Sequence, residues 1–445
     1  MIMMAYPAYA LPGISENTLE FKDIEFRNKY GSAAFRIPKA GRSLARDVVV
    51  RLDAARSHLA RKSEQEISNA LERVAGLWLE PDFRYRRMTE EWLPVVTGFS
   101  PQMVRAFLNG MMNDMLRESC QLSLPGNSSN VERMFCILEE IPGPEVLTIT
   151  MALHNKSVVF CKSPSTEPLF AALYAQSFAD VDKRLADCIA VIPWEGGKPE
   201  SRDMEDFFYC ERTGKDAVVV FGNVDAAESI KRKTNPAARL QQFTGGISFG
   251  VIGKEMLEGG KVGDVVHSAA LAVCMYDQRA CFSPQLFYVE RGGDTLPEKF
   301  AELLAGEMQE LETALPRGDL SLDASATLTE LMSTYELQDL LGSVKLYGVK
   351  NGGEQVGAVV YQEDSKFETS CLYRVIRVKP VDKVIEVPKL VGSSPSLEYL
   401  HTAGVALSDE REEELERALK KLGVDRVVSL NNMYQPSFSE YRLFG

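Results

Sequence analysis

A cysteine on a short loop is the side chain of this sequence best suited to covalent chemistry. Residues 276–285 read YDQRACFSPQ, so Cys281 follows the small residue Ala280 and precedes a Ser-Pro turn. The next residues, LFYVE, are aromatic and β-branched and predict a strand. A thiolate on such a loop can attack a carbonyl carbon and leave again, which is the chemistry of acyl transfer. The alternative is a packing cysteine at a strand start, and the local sequence by itself favours that interpretation.

The other cysteines show no pattern of a metal site. No C-x-x-C pair occurs, and the chain has only four His. This argues against a zinc site or a disulfide framework and favours the reduced thiols of a cytoplasmic protein. They are Cys120, Cys136, Cys161, Cys188, Cys210, Cys274 and Cys371. Most of them lie in apolar runs, as Cys161 does in SVVFC and Cys188 in ADCIAVI, and these are predicted to be packing residues.

Two further strand ends carry residues that could bind a ligand. Lys162 follows the run SVVFC and begins the loop KSPSTEP. Gly222 ends the run DAVVVFG just before a predicted helix, whose free N–H groups could face a phosphate. The usual dinucleotide fingerprint G-x-G-x-x-G is absent, since GGISFG has its glycines at the wrong spacing. Either a dinucleotide is held in another way, or none is bound.

The elements that would position these residues alternate between strand and helix. Residues 43–116 are predicted to be helical, because apolar residues recur at helical spacing. CQLSL, the turn PGNSSN and VERMFCILEE then suggest a hairpin. From about residue 145, short apolar strands alternate with amphipathic helices, which predicts an α/β domain with a parallel sheet. Such sheets bind ligands at the carboxyl ends of their strands.

Length and charge limit the class of protein. A chain of 445 residues is expected to form two or three domains. The net charge of −13 argues against a general nucleic-acid binder, which needs a basic surface. The apolar start, MIMMAYPAYALPG, has no basic leader and is interrupted by prolines, so we interpret it as neither a signal peptide nor a membrane span.

Several segments together resemble the aldehyde dehydrogenase superfamily, and within it the LuxC-type acyl-CoA reductases that make fatty aldehydes in bacterial luminescence. They occur in the family's order between about residues 136 and 433. The segments are MALHNKSVVFCKSPSTEPLFAALYAQSF, LADCIAVIPWEGG, DAVVVFGNVDAAESI, SFGVIGKE, YDQRACFSPQLFYVE, LEYLHTAGVAL and GVDRVVSLNNM.

The resemblance implies that Cys281 is the catalytic nucleophile. It would hold the acyl group as a thioester while CoA leaves, and hydride from a reduced nicotinamide would then give a thiohemiacetal that collapses to the aldehyde. Ala280 leaves room for the carbonyl carbon, and the backbone N–H of Cys281 can face the oxyanion.

The resemblance also implies a cofactor site. Lys162 would lie along the adenosine ribose, and Gly222 with Asn223 would meet the pyrophosphate. Many NAD-dependent relatives carry a Glu three residues after the Lys, where this chain has Ser165. Without that carboxylate a 2′-phosphate is not repelled, which favours NADPH as the cofactor.

Two departures from the family concern acids. Oxidising aldehyde dehydrogenases carry a Glu, in the segment matching FTGGISFG, that activates the deacylating water; no acid occurs there, as suits a reductase. The family's oxyanion Asn falls on Glu140 in EEIPG, where an ionised carboxylate would repel the developing oxyanion. We therefore count Glu140 among the candidate catalytic residues. The alternatives are that it turns outward, that a neighbour supplies the donor, or that it is protonated in an apolar pocket and donates a hydrogen bond itself.

The expected fold is α/β and aldehyde-dehydrogenase-like, with a Rossmann-type cofactor domain and an α/β catalytic thiol domain. The expected parts are a helical N-terminal part of the cofactor domain (1–116), an oligomerisation hairpin (117–138), a nucleotide-binding domain (139–246), a thiol domain (247–430) and an oligomerisation tail (431–445).

The expected function is NADPH-dependent reduction of an acyl-CoA or acyl thioester to an aldehyde. One alternative is an acylating aldehyde dehydrogenase running towards the thioester. Another, suggested by Glu140, is a catalytically weakened binding subunit of a fatty acid reductase complex. The expected partners are an acyl-CoA or acyl-protein donor, an acyl-protein synthetase subunit and further copies of the chain in a homodimer or homotetramer, in the cytoplasm, without a membrane span and without nucleic acid.

Overall fold

The computed structural model describes residues 5–118, 131–244, 246–395, 397–435 and 437. The described chain divides into two compact units. The first unit contains the described residues up to 244 together with Ser437, and the second contains those between 246 and 435. Within the described ranges, no helix is both long and apolar enough to cross a membrane.

The first unit begins with a small sheet and four helices. The sheet has the order β1-β3-β2 and consists of β1 (Tyr6–Pro7), β2 (Phe21–Asn28) and β3 (Gly31–Pro38). The helices are α1 (Arg42–Leu59), α2 (Glu64–Leu79), α3 (Arg84–Thr97) and α4 (Pro101–Glu118). Helix α2 starts at a capping box, in which Ser63 and Glu66 each accept from the other's backbone N–H. The helices lie in the region predicted to be helical, whereas the pair β2 and β3 precedes it.

A five-stranded parallel sheet forms the centre of the first unit. Its strands are β4 (Arg133–Ile137), β5 (Val158–Ser163), β6 (Ile189–Pro193), β7 (Asp216–Phe221) and β8 (Arg239–Phe243). Strands β5, β6 and β7 are buried along their whole length, because helices cover both faces of the sheet. The helices along this part of the chain are α5 (Pro144–His154), α6 (Leu169–Ser177), α7 (Lys183–Ala186), α8 (Arg202–Glu205) and α9 (Val224–Lys233).

The strand order β6-β5-β4-β7-β8 creates a switch point. From β4 the chain passes through α5 to β5 on one side, and it later returns to β7 on the other side. Connections therefore leave β4 and β7 in opposite directions, which opens a crevice at the carboxyl ends of these strands. This is the edge at which the sequence predicted ligand binding.

The predicted hairpin and tail are only partly described. Residues 119–130 of the hairpin lie outside the described residues. Its second arm contains β4, and both hydrogen-bonding edges of β4 are occupied, by β5 and by β7. Of the tail, only 431–435 and Ser437 are described.

The second unit is built on a seven-stranded sheet with the order β11-β12-β13-β10-β9-β14-β15. All neighbours are parallel except β11 and β12. The strands are β9 (Ile247–Ile252), β10 (Pro284–Glu290), β11 (Lys345–Asn351), β12 (Glu354–Tyr361), β13 (Val375–Val381), β14 (Leu400–Ala406) and β15 (Arg426–Ser429). The helices are α10 (Lys261–Cys274), α11 (Pro297–Ala314), α12 (Leu322–Leu340), α13 (Val387–Gly392) and α14 (Asp409–Lys421).

A close contact in this sheet explains one glycine of the GGISFG segment. Gly250 lies in the middle of β9, and a Cβ added there would be 2.2 Å from the ring of Phe287 on β10. Phe287 is fully buried. Gly250 is therefore a packing residue, required because an aromatic ring lies against its backbone.

Candidate active site

The thiol of Cys281 lies on the loop that enters β10, as the sequence predicted. Cys281 is partly buried. Its Sγ is 3.9 Å from Nε2 of His401, the second residue of β14. The loop thus presents a thiol to an imidazole within one unit of the protein.

The other described cysteines differ in environment. Cys136, Cys161, Cys188 and Cys274 are buried, in agreement with their interpretation as packing residues, whereas Cys210 is exposed and Cys371 is partly buried. Burial raises the pKa of Cys274 to about 11, so this thiol is held in its unreactive protonated form.

His401 was not predicted from the sequence. Loss of hydration around the ring and, to a lesser extent, the nearby positive charge of Arg426 together lower its pKa to about 4. The imidazole is therefore neutral at pH 7. Its Nδ1 lies 2.8 Å from Oγ1 of Thr402, so one ring nitrogen is engaged by a hydroxyl while Nε2 faces the thiol. A neutral imidazole in this orientation can accept the thiol proton.

Ser248 fixes the loop against the sheet. It is fully buried on β9, and its hydroxyl donates to the carbonyl oxygen of Cys281 at 2.7 Å. The same hydroxyl accepts from the backbone N–H of Thr402 at 3.0 Å. One side chain thus connects the thiol loop to the strand that carries His401.

The thiol site lies where the sequence predicted it, on a loop that leads into a strand. In the second unit Cys281 precedes β10, Ser248 is the second residue of β9 and His401 is the second residue of β14. These side chains meet at the amino ends of three neighbouring strands. The carboxyl-end rule describes the crevices formed by helix crossovers, and this thiol is placed by a loop that enters the opposite edge.

The first unit contributes a polar edge where Lys162 was predicted to bind a cofactor. Lys162 is buried, and its Nζ lies 5.9 Å from the centre of the Trp194 ring. Burial lowers the pKa of Lys162 to about 8, although Glu205 and Glu195 oppose this shift.

Two buried polar atoms at this edge have no hydrogen-bond partner among the described residues. They are Oγ of Ser163, at the end of β5, and Nε1 of Trp194, just after β6. A buried donor or acceptor left unpaired costs free energy, so these two atoms would gain from pairing with a ligand. Hydroxyl and indole N–H groups of this kind suit the ribose and phosphate oxygens of a dinucleotide.

In the turn after β5, Ser165 is partly buried, whereas the acid of the turn, Glu167, is buried. Glu167, two residues later, is 3% exposed, and its Oε1 accepts from the backbone N–H groups of Leu169 and Phe170 at 2.9 Å each. The acid of this loop therefore caps α6. Burial raises the pKa of Glu167 to about 7, in spite of these two hydrogen bonds.

Gly222 and Asn223 form the start of α9. Gly222 has a φ of +154°, which a residue with a side chain rarely adopts. Asn223 is the N-cap of α9, and its side-chain oxygen accepts from the backbone N–H of Ala226 at 2.8 Å. The Asn223 oxygen is thus committed to the helix, which leaves the backbone N–H groups of the first turn as the donors that could face a phosphate.

Three glutamates, Glu139, Glu140 and Glu145, follow the end of β4. Glu140 is exposed. Burial and the neighbouring charge of Glu140 raise the pKa of Glu139 to about 7. Glu145, in the first turn of α5, is 2% exposed and accepts from the N–H of Gly143 at 3.0 Å. Burial, together with the charges of Glu167 and Glu139, raises the pKa of Glu145 to about 8. The acids with altered protonation are therefore the neighbours of Glu140.

No group of three or more His, Cys, Asp or Glu side chains suited to a metal ion occurs in the described part of the chain. The candidate chemistry rests on a thiol and an imidazole in the second unit and on an edge suited to a dinucleotide in the first.

Comparison with known proteins agrees with this chemistry. A family model described as acyl-CoA reductase (LuxC) matches residues 134–438. The long-chain acyl-protein thioester reductase of Aliivibrio fischeri is 24% identical over 404 residues, which cover 83% of this chain and 78% of that protein. The protein of the same name from Photobacterium phosphoreum is 23% identical over 400 residues, covering 83% and 76%.

Solved structures show that the fold is that of aldehyde dehydrogenases. Aldehyde dehydrogenase 21 from Physcomitrella patens superposes with a TM-score of 0.73 at 13% identity, covering 98% of this chain and 92% of that one. An NAD-dependent benzaldehyde dehydrogenase from Corynebacterium glutamicum superposes with a TM-score of 0.71 at 15% identity, covering 95% and 94%.

Proposed function

This chain belongs to the acyl-CoA reductase (LuxC) family, and we propose that it reduces the thioester of a long-chain acyl group to an aldehyde, with NADPH as the reductant. The observation that carries the proposal is the placement of the Cys281 thiol 3.9 Å from a neutral imidazole. The relatives named as long-chain acyl-protein thioester reductases support a thioester substrate.

His401 activates the thiol. Its Nε2 accepts the proton of Cys281 as Sγ attacks the thioester carbonyl, because the imidazole is neutral and points at the sulfur. The backbone N–H of Cys281 stabilises the developing oxyanion. Collapse of the tetrahedral adduct expels the donor thiolate, which takes the proton back from His401. The acyl group is then held as a thioester on Cys281.

The reductive step releases the aldehyde and restores the thiol. A reduced nicotinamide supplies a hydride when it is bound. Hydride and a proton convert the Cys281 thioester to a thiohemiacetal. His401 then accepts the hydroxyl proton as Sγ departs and the aldehyde forms, and it passes this proton to the Cys281 thiolate. The balance is one acyl thioester, one NADPH and one proton consumed for one aldehyde, one free thiol and one NADP⁺ formed.

The segment around Ser248 provides no carboxylate base for hydrolysis of the acyl-enzyme. The sequence FTGGISFG contains no carboxylate that could act as a general base for hydrolysis. Ser248 in this segment is committed to the Cys281 carbonyl and the Thr402 N–H. The thioester on Cys281 thus lacks the carboxylate that would activate water for its hydrolysis.

The residues of the first unit fit a dinucleotide. Lys162, with the unpaired atoms of Ser163 and Trp194, would hold the ribose, and the first turn of α9 after Gly222 would hold the pyrophosphate. Ser165 leaves the 2′ position without a repelling carboxylate, and Glu167 is turned into the cap of α6. This arrangement favours NADPH over NADH.

We also propose that the chain works as an assembly. The donor is an acyl-protein or acyl-CoA, an acyl-protein synthetase subunit supplies the acyl group, and the chain itself forms a dimer or a dimer of dimers. Native mass spectrometry of the purified chain, alone and with such a synthetase, measures both associations.

Steady-state turnover tests the proposed function. The chain is incubated with NADPH and with a long-chain acyl-CoA or a long-chain acylated carrier protein, and both NADPH oxidation and the trapped aldehyde are measured. We expect equal amounts of NADP⁺ and aldehyde. A binding subunit would instead bind the donor without oxidising NADPH. An acylating dehydrogenase would form the thioester from aldehyde, NADP⁺ and CoA faster than it reduces the thioester to the aldehyde.

A further inference from the structure

The backbone just before Cys281 adopts a left-handed turn. Tyr276, Asp277 and Gln278 have φ angles of 54°, 51° and 62°. Residues with a Cβ rarely adopt this conformation, and three in succession are unfavourable unless the surroundings hold them. Cys281 follows only three residues after this turn, so the turn sets where the thiol loop starts.

A second left-handed turn precedes the neighbouring strand β13. Leu372, Tyr373 and Arg374 have φ angles of 69°, 56° and 65°. Strand β13 is paired in parallel with β10, the strand that follows Cys281. Two unfavourable turns thus enter adjacent strands at the same edge of the sheet.

Side chains of each turn bind the other. Nε of Arg374 donates to Oδ1 of Asp277 at 2.8 Å, and Nη2 lies 2.7 Å from the same oxygen. Nε2 of Gln278 donates to the carbonyl oxygens of Val375 at 3.1 Å and Pro284 at 2.8 Å. We call the Asp277–Arg374 pair with the Gln278 contacts the 277–374 clasp.

The clasp is buried and anchored behind the turns. Arg374 is 1% exposed and also donates to Oε2 of Glu312 at 2.8 Å and to the carbonyl of Leu315 at 2.9 Å. The second oxygen of Asp277 accepts from the N–H of Gly318 at 3.1 Å. A buried ion pair is costly to assemble, and removing one partner leaves the other charge buried and unpaired. The contribution of the Asp277–Arg374 pair is therefore to fix a single geometry of the two turns.

We propose that Arg374 and Asp277 are positioning residues for Cys281: their ion pair holds residues 276–278 in the left-handed turn and thereby keeps Sγ in front of His401. The inference rests on the proposed function, since Cys281 is the nucleophile there. Neither residue is assigned a contact with the substrate.

The test compares Arg374→Lys and Asp277→Asn with a matched control. Lysine keeps the charge of Arg374 but cannot reach Asp277 and Glu312 together, and asparagine keeps the shape of Asp277 without its charge. The control is Lys379→Met. Lys379 lies on the same strand, is fully buried, and pairs with Asp364 at 2.8 Å and Glu368 at 2.7 Å. The control removes a buried ion pair that does not involve the thiol loop.

Three quantities are measured for each folded variant: the rate of Cys281 alkylation by iodoacetamide, the single-turnover rate of acylation by a long-chain acyl-CoA, and the midpoint of thermal unfolding. We expect Arg374→Lys and Asp277→Asn to slow alkylation and acylation by about tenfold or more, while the acyl-CoA concentration that gives half of the maximal single-turnover rate changes by less than about twofold. Lys379→Met should lower the unfolding midpoint and leave both rates within about twofold of wild type.

A rescue experiment separates positioning from a general loss of stability. Glycine adopts the left-handed conformation without a Cβ penalty. Adding Tyr276→Gly to Arg374→Lys should therefore raise the alkylation and acylation rates at least about threefold above those of Arg374→Lys alone. Wild-type rates in both clasp variants, or equal slowing by Lys379→Met, would overturn the proposal. Should wild type be alkylated at Cys281 but never acylated, the proposed function fails, while the alkylation rates still decide the role of the clasp.

Discussion

Ser165 is the residue at which cofactor choice is most directly testable. It lies in the turn after β5, and the nearby acid, Glu167, is already engaged by two backbone N–H groups. In Ser165→Glu a new carboxylate would meet the 2′-phosphate of NADPH, whereas it could accept from the free 2′-hydroxyl of NADH. We expect the ratio of the NADPH to the NADH dissociation constant to rise by at least about tenfold. Fluorescence titration with both cofactors measures it.

The control for this change is Thr166→Glu, which places the same charge on the next, exposed residue of the turn. Its effect on the ratio should be small, because screened surface charges act weakly. Equal effects of the two variants, or an unchanged ratio in Ser165→Glu, would mean that Ser165 does not contact the ribose.

The sequence predicted the position of the Cys281 thiol but not the imidazole that lies beside it. Cys281 stands out because its neighbours in the sequence are polar or small residues, whereas most other cysteines lie in apolar runs. His401 lies 120 positions away, within the apolar run of β14, where a histidine is indistinguishable from a packed core residue. The one signal in the sequence was the pair His401–Thr402 at the start of an otherwise apolar strand. Only the pairing of β14 with β9 brings this pair to the thiol.

Among the elements, β9 depends on Gly250. A methyl group at this position would lie 2.2 Å from a ring carbon of Phe287, whose side chain is fully buried and cannot move aside cheaply. We expect Gly250→Ala to lower the free energy of unfolding by about 1–3 kcal/mol or more. Chemical denaturation of the purified variant measures the loss.

Gly306, in the middle of α11, provides the opposite case. No atom lies within 4 Å of a Cβ built there. Gly306→Ala should therefore stabilise the chain by about 0.5–1 kcal/mol through the higher helix propensity of alanine. Similar effects of the two substitutions would show that the Phe287 contact does not determine the need for glycine at 250.

The start of α5 carries a pH-dependent contribution to stability. The pKa of Glu145 is raised from 4.5 to about 8, first by burial. Between these values the folded chain holds a proton that the unfolded chain has released, so stability falls as pH rises across this window. The glutamine of Glu145→Gln has no proton to release in this range, so this fall in stability with pH is absent from the variant.

We therefore expect the stability of Glu145→Gln relative to wild type to increase from about pH 4.5 to about pH 8 and to level off above it. Denaturation midpoints at a series of pH values measure this difference. Glu91→Gln, at an exposed position of α3, is the control and should show no such trend. A difference that is flat with pH would contradict the buried, neutral carboxyl.

The elements themselves were predictable where their physical signal is local. The strands of the parallel sheets are continuous apolar runs, such as VVFC and AVVVF, because both of their faces are buried. The left-handed turns at 276–278 and 372–374 could not be predicted, since neither contains a glycine and both are held by partners distant in sequence.

For the molecule as a whole, the family resemblance predicted the fold correctly. That prediction rested on several segments, each of modest specificity, that occur in the family's order along the chain. An aldehyde dehydrogenase structure that covers 98% of this chain confirms it. The role of Glu140 stays a prediction from the resemblance. A family position predicts which residue aligns with the oxyanion Asn, but exposure depends on the local backbone, and here Glu140 is exposed while Glu139 and Glu145 carry the altered protonation.

The central claim is that Cys281 carries the acyl group and keeps it until reduction. Intact-mass spectrometry after incubation with a long-chain acyl-CoA in the absence of NADPH measures this directly. We predict one acyl adduct per chain, located on Cys281 by peptide mapping, absent in Cys281→Ala and retained in Cys371→Ala, the other partly buried thiol of the second unit. Addition of NADPH should remove the adduct and release one equivalent of aldehyde. An adduct that persists in Cys281→Ala, or a wild-type adduct that NADPH leaves unchanged, would contradict the account.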